Sequence, residues 1–462
     1  MRRFLPYIIL IVSCLSLIVS CRKDDPVPEG PEIVPEEIVA TNKWIYDNMS
    51  LYYLWNDFIP TDIDYTMESD PEAYFFKLLY SDLDKWSQIT DDYPKLESEL
   101  NGDPVTMGYY PAFYLAGDNN VIIAVGYVYP GSPAEEAGLK RGDIILSIDN
   151  KLLDTTNYQD LFSGTSYQVQ LGAVVGNSLV YTGESLSMTA RKTLTDPAIY
   201  HHLFEQEGQK IGYLVYVEFI KGPNEEYLRQ LDNIFNEFKT EGISDLIIDL
   251  RYNPGGEVDA AVYLASLIAP APVVSGNETL VNLNYNNDLH LYLEYYNYDE
   301  LLSYRFTNTA SNIGLDRVCF LTSSSSASAS ELLIIGLDPY MEVIRIGEPT
   351  FGKYTGAWVI PDEKEEWAIM PIVSKFSNSV GFTDFSDGLM PDHQVDDDLF
   401  IAAPFGDLSD PMIAKAVEQL TGVIVTPKKS SVHALPRYKK IIPPQQSIRN
   451  NLILPRTELK LK

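Results

Sequence analysis

The sequence is poor in cysteine. Cys14 and Cys21 lie in the first 21 of its 462 residues, which leaves Cys319 as the one cysteine of the remaining chain. A disulfide framework is therefore excluded, and so is a zinc site built from cysteines. Cys319 stands in the apolar run 317–321, where we expect a small buried thiol in a strand.

Basic charge is also scarce, and this excludes another class of protein. Lys and Arg number 34 against 65 Asp and Glu, so the formal net charge is −31. Such a chain repels phosphate backbones and anionic head groups, and nucleic acid is not expected as a partner. No pattern indicates a metal ion, an organic cofactor or an oligomeric state.

The first 35 residues predict an export signal and a tether. Two arginines precede an apolar stretch that is too short to span a membrane, which indicates a signal peptide at residues 1–20. The letters Leu-Ile-Val-Ser-Cys that end at Cys21 resemble a bacterial lipobox, and residues 21–35, rich in proline and acid, predict a lipidated tether. We expect an exported lipoprotein of the bacterial cell envelope, located at the outer membrane and facing either the periplasm or the cell surface. The alternative is an ordinary signal peptide with an incidental cysteine.

The spacing of apolar residues changes along the remaining chain, and this predicts a multidomain α/β protein. Residues 36–103 show helical apolar spacing with many aromatics, which we assign to packing. Residues 104–192 form short β-type runs broken by glycine turns, and residues 193–425 alternate buried strands with helices. Three of these helices are expected near 224–239, from 257 to 268 and from 328 to 337. Residues 426–462 carry basic charge and proline and predict an extended tail that could lie against the acidic body.

The segment 130–149 predicts a short helix between two turns, followed by a strand. Ser132 suits the N-cap, Pro133 the first helical position and Gly138 the stop. The amino-acid sequence of this segment closely resembles that of the PDZ domain of bacterial processing peptidases. PDZ domains take a peptide as an added strand and hold its C-terminal carboxylate in a loop of amides. That loop corresponds here to the peptide-binding candidates Met107, Gly108 and Tyr109.

Residues 321–333 place small hydroxyl side chains between a strand exit and a helix start. A serine at this point lies at the positive end of a helix dipole beside free amides, as a nucleophile and its oxyanion require. N-capping explains Ser326 or Ser328 equally well without catalysis.

Two further segments carry chemistry. Lys353 stands on a glycine loop among aromatics, where burial would lower its pKa and leave an amine able to take a serine proton. The alternative is an exposed loop lysine. Gly255 and Gly256 follow a buried strand and offer amides that can hold an oxyanion.

These segments together resemble the C-terminal processing peptidases, or tail-specific proteases, over residues 104 to 400. The order is a PDZ domain, Asp-Leu-Arg-x-Asn-Pro-Gly-Gly, Ser-Ala-Ser-Ala-Ser-Glu, Gly-Glu-x-Thr-x-Gly-Lys and Gly-Leu-Met-Pro-Asp. The resemblance implies a crotonase-like ββα peptidase core after the small helical domain and the β-rich PDZ-like domain.

The resemblance also implies the site residues. Ser328 is the nucleophile, Lys353 is the base, and the Ala329 amide forms the oxyanion hole with an amide of Gly255 or Gly256.

One position departs from the family pattern. Bacterial members have a glutamine four residues after the lysine, and this sequence has Ala357. Another group would have to orient Lys353, or activity would be weak or absent. No histidine matches a triad motif, and His393 is expected to be structural or on the surface.

Three functions follow from these observations. The leading prediction is a serine endopeptidase that cleaves exported peptides or unfolded proteins, near their C-termini, with help from the PDZ domain. A second is an inactive PDZ-containing scaffold that binds peptides. The third, a carbohydrate-binding surface lipoprotein, would suit the anchor and the 31 tyrosines but has no site motif.

Overall fold

The computed structural model describes residues 34–175, 178–425, 438–441 and 452–454. The predicted signal peptide, Cys21 and most of the predicted tether lie outside the described residues. The described chain forms a multidomain α/β structure with a helical N-terminal region, a β-rich domain and an α/β core, which confirms the predicted fold class.

The N-terminal region is built from the helices Glu36–Tyr52, Pro71–Lys77 and Tyr93–Leu100 with the 3₁₀ turn Asn56–Phe58. Asp70 and Asp92 cap the second and third helices through their side chains. The aromatic residues pack inward as predicted, with Tyr53, Tyr74 and Phe75 fully buried. The strand Gln88–Thr90 then pairs with Ala368–Met370, which joins this region to the core.

The β-rich domain is an antiparallel sheet with two short helices. Its strands are Tyr109–Ala116, Asn120–Val128, Ile144–Ile148, Lys151–Leu152, Ser166–Val175 and Ser178–Thr189, and a separate pair is formed by Val105–Thr106 and Arg191–Lys192. Its helices are Pro133–Ala137 and Tyr158–Phe162. Ser132 caps the first helix by accepting from the Glu135 amide, and Gly138 ends it at φ 94°, as the sequence predicted.

A largely parallel sheet forms the centre of the core. In spatial order its strands are Ala198–Gln206, Gln209–Tyr216, Asp245–Asp249, Arg317–Thr322, Glu342–Gly347 and His393–Gln394. Cys319 is buried in the fourth strand, as predicted, and His393 lies in the edge strand.

A second sheet orders Gly256–Glu257, Leu452–Ile453, Thr355–Ala357, Ile372–Asn378, Thr279–Tyr285 and Ser303–Arg305, and a third pairs Ile360–Pro361 with Ala368–Met370. The helices of the core are Glu226–Glu241, Val258–Ile268, Ala271–Ser275, Asn287–Tyr295, Asp299–Leu302, Ala329–Leu337 and Pro411–Thr421, with 3₁₀ turns at Pro223–Glu225 and Leu399–Ile401.

Three predicted helix starts differ from the structure. The first predicted helix begins at Glu226, after a 3₁₀ turn. The second begins at Val258, because Gly256 and Glu257 pair as a strand with Leu452–Ile453. The third begins at Ala329, because Ser328 adopts φ 61° and ψ −107°, outside the helical range.

Two strands come from the region predicted as a basic tail. Lys439–Ile441 adds to the edge of the β-rich sheet, and Leu452–Ile453 inserts into the second sheet of the core. Across the described ranges, every helix is too short or too polar to traverse a bilayer.

Candidate active site

Three loops meet at one edge of the parallel sheet. Asp249 pairs with Leu321, and Leu321 pairs with Ile346, so the carboxyl ends of three neighbouring strands lie together. Ligand and catalytic sites of open α/β sheets form at this edge. The loops are stitched to one another, since the Ala327 amide donates to Asn253 O (3.1 Å) and the Phe351 amide donates to Ser326 O (2.9 Å).

Among the buried serines of the serine-rich loop, three hydroxyl groups donate to backbone carbonyls and one has no partner in the described part of the chain. Ser323 Oγ donates to Arg251 O, Ser326 Oγ to Leu250 O (2.7 Å) and Ser330 Oγ to Asn253 O (3.1 Å). Ser328 Oγ is buried and has no hydrogen-bond partner among the described residues. A buried unpaired hydroxyl is costly, and here it identifies Ser328 as the loop's nucleophile candidate.

The backbone of Ser328 is held in an unusual conformation. A positive φ at a residue other than glycine costs of the order of 1–3 kcal/mol and is common at functional sites. Ser328 is the N-cap residue of Ala329–Leu337 and stands in a capping box with Glu331, whose carboxylate accepts from the Ser328 amide, but the Ser328 hydroxyl has no hydrogen-bond partner within the described ranges. The N-capping alternative therefore accounts for its position and not for its hydroxyl. The Ser326 hydroxyl does not cap the helix either, because it donates a hydrogen bond to Leu250 O.

Glu331 is the centre of the site, and the sequence reasoning assigned it no role. Its buried carboxylate accepts hydrogen bonds from the Ser328 amide (2.7 Å), the Lys353 amide (2.9 Å), the Gly352 amide (2.6 Å) and Thr350 Oγ1 (2.5 Å). The nucleophile loop and the lysine loop are thus fixed to the same side chain. Burial raises the pKa of the Glu331 carboxyl to about 7, against these donors, which favour its charged form. The Ser-x-x-Glu spacing of a capping box was the signal that could have found it.

Lys353 is completely buried, as the functional interpretation of its loop requires. Desolvation lowers the pKa of its ammonium from 10.5 to about 7, while the charges of Asp84 and Glu331 act in the opposite direction. Its Nζ lies 5.8 Å from the centroid of the Trp86 ring. A lysine in this state can exchange protons near neutral pH.

The surroundings of Lys353 show what stands near it in place of the family glutamine. Ala357 is buried in the strand Thr355–Ala357, and the N-terminal region instead supplies Trp86 and Asp84. Asp84 is itself fixed, because its carboxylate accepts from Tyr53 Oη (2.8 Å) and from the amides of Trp86 and Ser87 (both 2.9 Å). The aromatic region assigned to packing therefore also contributes to the site.

The predicted oxyanion residues are Ala329, Gly255 and Gly256, and they differ in how close they lie to Ser328. Ala329 opens the helix, so its amide has no carbonyl partner within that helix. A Cβ on Gly255 would lie 2.8 Å from Ser328 Cβ and 3.1 Å from the Ala329 nitrogen, so only glycine fits there. The Gly255 amide already donates to Asn253 Oδ1 (2.9 Å). Gly256 instead faces the backbone of Phe219, where a Cβ would lie 2.2 Å from the carbonyl oxygen. The Ala329 amide and the Gly255 position are thus the parts of the predicted hole next to Ser328.

A cavity of about 370 Å³ connects the three domains. Its walls include Leu96 of the N-terminal region, Tyr109 of the β-rich domain, and Pro254, Ser325 and Phe351 of the core. Of the predicted peptide-binding loop, Tyr109 lines this cavity directly. The Gly108 amide donates to Thr106 Oγ1 (3.0 Å), and Met107 is buried. The carboxylate-binding role of Met107, Gly108 and Tyr109 stays a prediction.

No cluster of three or more His, Cys, Asp or Glu side chains suited to a metal ion occurs in the ranges 34–175, 178–425, 438–441 and 452–454.

Comparison with known proteins agrees with this geometry. Residues 210–395 match the model of peptidase family S41, residues 40–88 match the S41 N-terminal domain, and residues 125–169 match a PDZ domain. A carboxyl-terminal-processing protease of Picosynechococcus is 27% identical over 63% of this chain and 65% of its own length. A protease of the same name from Synechocystis is 26% identical over 66% of each chain. The match thus spans a little under two thirds of these curated relatives.

A solved structure is also similar. It is described as a putative S41 protease from Bacteroides fragilis, is 28% identical, and superposes with a TM-score of 0.68 over 82% of this chain and 97% of that chain. The resemblance inferred from the sequence motifs is confirmed by these matches. With its N-terminal domain, its PDZ domain and its catalytic core all matched, the chain belongs to peptidase family S41.

Proposed function

We propose that the protein is a serine endopeptidase with a Ser/Lys mechanism. Ser328 Oγ attacks the carbonyl carbon of a peptide bond, Lys353 Nζ accepts the hydroxyl proton and passes it to the leaving amine, and water then hydrolyses the acyl-enzyme. The Ala329 amide holds the oxyanion, and Gly255, which has no side chain, leaves room beside it. The observation that carries the proposal is that Glu331 joins two loops, one with the buried and unpartnered hydroxyl of Ser328 and the other with Lys353, a buried lysine of lowered pKa.

The proposed substrates are exported peptides or unfolded proteins, cut near their C-termini. Support comes from the PDZ domain, since PDZ domains receive peptides by strand addition. The relatives named carboxyl-terminal-processing proteases support the same preference. The cavity between the PDZ domain and the core also supports it, because Ser324 and Ser325 of the serine-rich loop line that cavity, a few residues before the buried Ser328.

The test is peptide hydrolysis by a protein that begins after Cys21, with unstructured peptides carrying free or amidated C-termini. Ser328→Ala and Lys353→Ala should each lower kcat by about 10⁴-fold or more, because the two groups act as a unit. Ser163→Ala and Lys239→Ala, at exposed positions that do not line the cavity, are the matched controls. A preference for free C-termini would support the proposed role of the PDZ domain.

The opposite outcome has a definite meaning. If the wild-type protein binds these peptides but leaves them intact, as both variants do, the scaffold function is correct. Ala357, in place of the family glutamine, would then be the structural reason.

We also propose that the protein is anchored to the membrane of the bacterial cell envelope through a lipid on Cys21. The lipobox-like letters before Cys21 and the proline-rich segment after it support this. The full chain should fractionate with membranes and incorporate labelled palmitate, and Cys21→Ser should lose the label while Cys14→Ser keeps it. Equal labelling of both variants would contradict a lipid on Cys21.

A further inference from the structure

The first strand of the C-terminal region occupies the PDZ domain as a bound peptide would. Lys439–Ile441 runs antiparallel to Tyr109–Ala116, with Lys439 opposite Leu115 and Ile441 opposite Phe113. From residue 439 to residue 441 the strand runs toward Tyr109 and the predicted carboxylate-binding loop. The C-terminus of a peptide bound to a PDZ domain points in the same direction. Ile441 packs against the hydrophobic cluster of the PDZ domain that includes Phe113.

The second strand lies in the core beside the reacting groups. Leu452–Ile453 is parallel to both Gly256–Glu257 and Thr355–Ala357, with Leu452 opposite Gly256 and Gly356. These two neighbours begin directly after Gly255 and two residues after Lys353. The Leu454 amide donates to Ala357 O (3.0 Å), and the Leu454 side chain is buried. An extended segment of the chain thus fills the space between the oxyanion loop and the lysine loop.

Lys440 connects the two places. Its Nζ donates to Ser325 Oγ (2.9 Å), in the serine-rich loop, and its side chain lines the cavity between the domains. The positive charge of Lys440 also acts on Glu348 and Asp397 of the core. The region 427–462 holds nine Lys or Arg and one acid, in a chain of net charge −31, so attraction to the acidic body favours this placement.

The edge strand Tyr109–Ala116 of the PDZ domain and the strands Gly256–Glu257 and Thr355–Ala357 of the core are here called the substrate-binding tract. We propose that the tail strands, residues 438–441 and 452–454, are an intramolecular ligand of this tract. A peptide substrate must displace them, and it does so best when it carries their chemistry, a basic residue followed by a branched aliphatic residue at the PDZ edge. A tethered segment competes at an effective concentration in the millimolar range. Free peptides therefore bind more weakly than the tract itself would allow.

The kinetic part of this inference rests on the proposed peptidase function, so the test uses binding. The probe is a fluorescent peptide with the sequence of residues 438–454, and the protein is the chain that begins after Cys21, with Ser328→Ala to prevent cleavage. Lys439→Cys with Leu115→Cys places a disulfide across a directly paired position and locks the first tail strand in the groove. Cys319 is buried and does not interfere.

The locked protein should bind the probe at least about tenfold more weakly than the same protein after reduction. Ile441→Gln, which weakens packing of the tail on the PDZ domain, should tighten probe binding about tenfold. Ile424→Gln, at an exposed isoleucine outside both tail strands, is its control and should leave probe binding unchanged.

Two results would overturn the inference: equal probe binding by locked and reduced protein, or no binding by the reduced protein and by Ile441→Gln alike. Wild-type hydrolysis is measured separately. Its absence would count against the proposed peptidase, whereas the binding comparison would still decide what the tail does.

Discussion

Lys353 and Glu331 show how burial sets the chemistry of single residues. A lysine of ordinary pKa is neutral in about one molecule of three thousand at pH 7, whereas a pKa of about 7 makes half of the molecules neutral. Burial also raises the pKa of Glu331 to about 7, so both groups lose a proton in the same range. The observed midpoint would belong to the pair, since Glu331 contacts the Lys353 amide.

The pH dependence of hydrolysis follows from these two groups. The neutral amine is the form that accepts a proton, and its fraction grows as pH rises through about 7. We expect kcat/KM to rise between pH 6 and pH 8, roughly, and then to flatten. Initial rates at low substrate concentration across this range measure it.

Lys353→Arg is the corresponding variant, because a guanidinium stays protonated and should be inactive at every pH. Lys364→Arg, on an exposed lysine, should keep the wild-type profile. A rate that is constant down to pH 5, or one that rises only near pH 10, would contradict a lysine base of lowered pKa.

At the scale of elements, the segment that enters the strand Gln88–Thr90 links the N-terminal region to the candidate active site. That strand pairs with Ala368–Met370, and Ser87 Oγ accepts from the Ile372 amide (2.9 Å). These contacts fix Asp84 and Trp86 beside Lys353. The N-terminal region therefore completes the site, a role that the Lys353 loop cannot supply by itself.

Removing the charge of Asp84 should move the pH profile. Because that charge favours protonated Lys353, Asp84→Asn should lower the lysine pKa further and shift the rising limb of kcat/KM to lower pH by about one unit. The shift is read from the midpoint of the rising limb.

Tyr53→Phe is the matched control, since it removes the hydroxyl that donates to Asp84 and keeps the charge. Its midpoint should stay in place even if it lowers stability. A shift to higher pH in Asp84→Asn, or equal shifts in both variants, would show that Asp84 acts only through structure.

At the scale of the whole molecule, a buried ion network joins the PDZ domain to the core. Arg141 donates to Gly126 O (2.8 Å) within the PDZ domain, and to Tyr252 Oη (2.5 Å) and Ala403 O (3.0 Å) of the core. Its guanidinium lies 3.4 Å from Asp397, which also pairs with Arg251 at 2.9 Å. Arg251 is buried, and its carbonyl oxygen accepts a hydrogen bond from Ser323 of the serine-rich loop. The position of the PDZ domain and the shape of the candidate site therefore depend on one network.

Arg141→Met should lower the free energy of unfolding by about 3 kcal/mol, because it leaves buried acceptors and part of the Asp397 charge without a partner. It should also expose the junction between PDZ domain and core to proteolysis. Urea unfolding and limited proteolysis measure the two effects. Lys140→Met, the exposed neighbour, should change neither, and an equal effect of both variants would rule out the network as the junction.

The predictability of the fold depended on how local each signal was. Ser132, Pro133 and Gly138 determine their helix through neighbouring backbone, and the sequence located that helix correctly. The start of Val258–Ile268 was misplaced by one residue because Gly256 and Glu257 pair with residues almost two hundred positions later. Glu331 belongs to a recognisable sequence motif, but its role could not be predicted, because its four hydrogen-bond donors come from two loops that are distant in sequence.

The sequence by itself determined the order of the domains and the family motifs, and through those motifs it predicted Ser328 and Lys353 as the reacting pair, because these depend on residue type and on short spacings. Tertiary structure decided which serine hydroxyl is left unpaired, that Glu331 joins the two loops, that Asp84 and Trp86 flank the lysine, and that the tail strands fill the tract. Each of these depends on strand register and burial between distant residues. Such contacts arise only when the whole chain has folded.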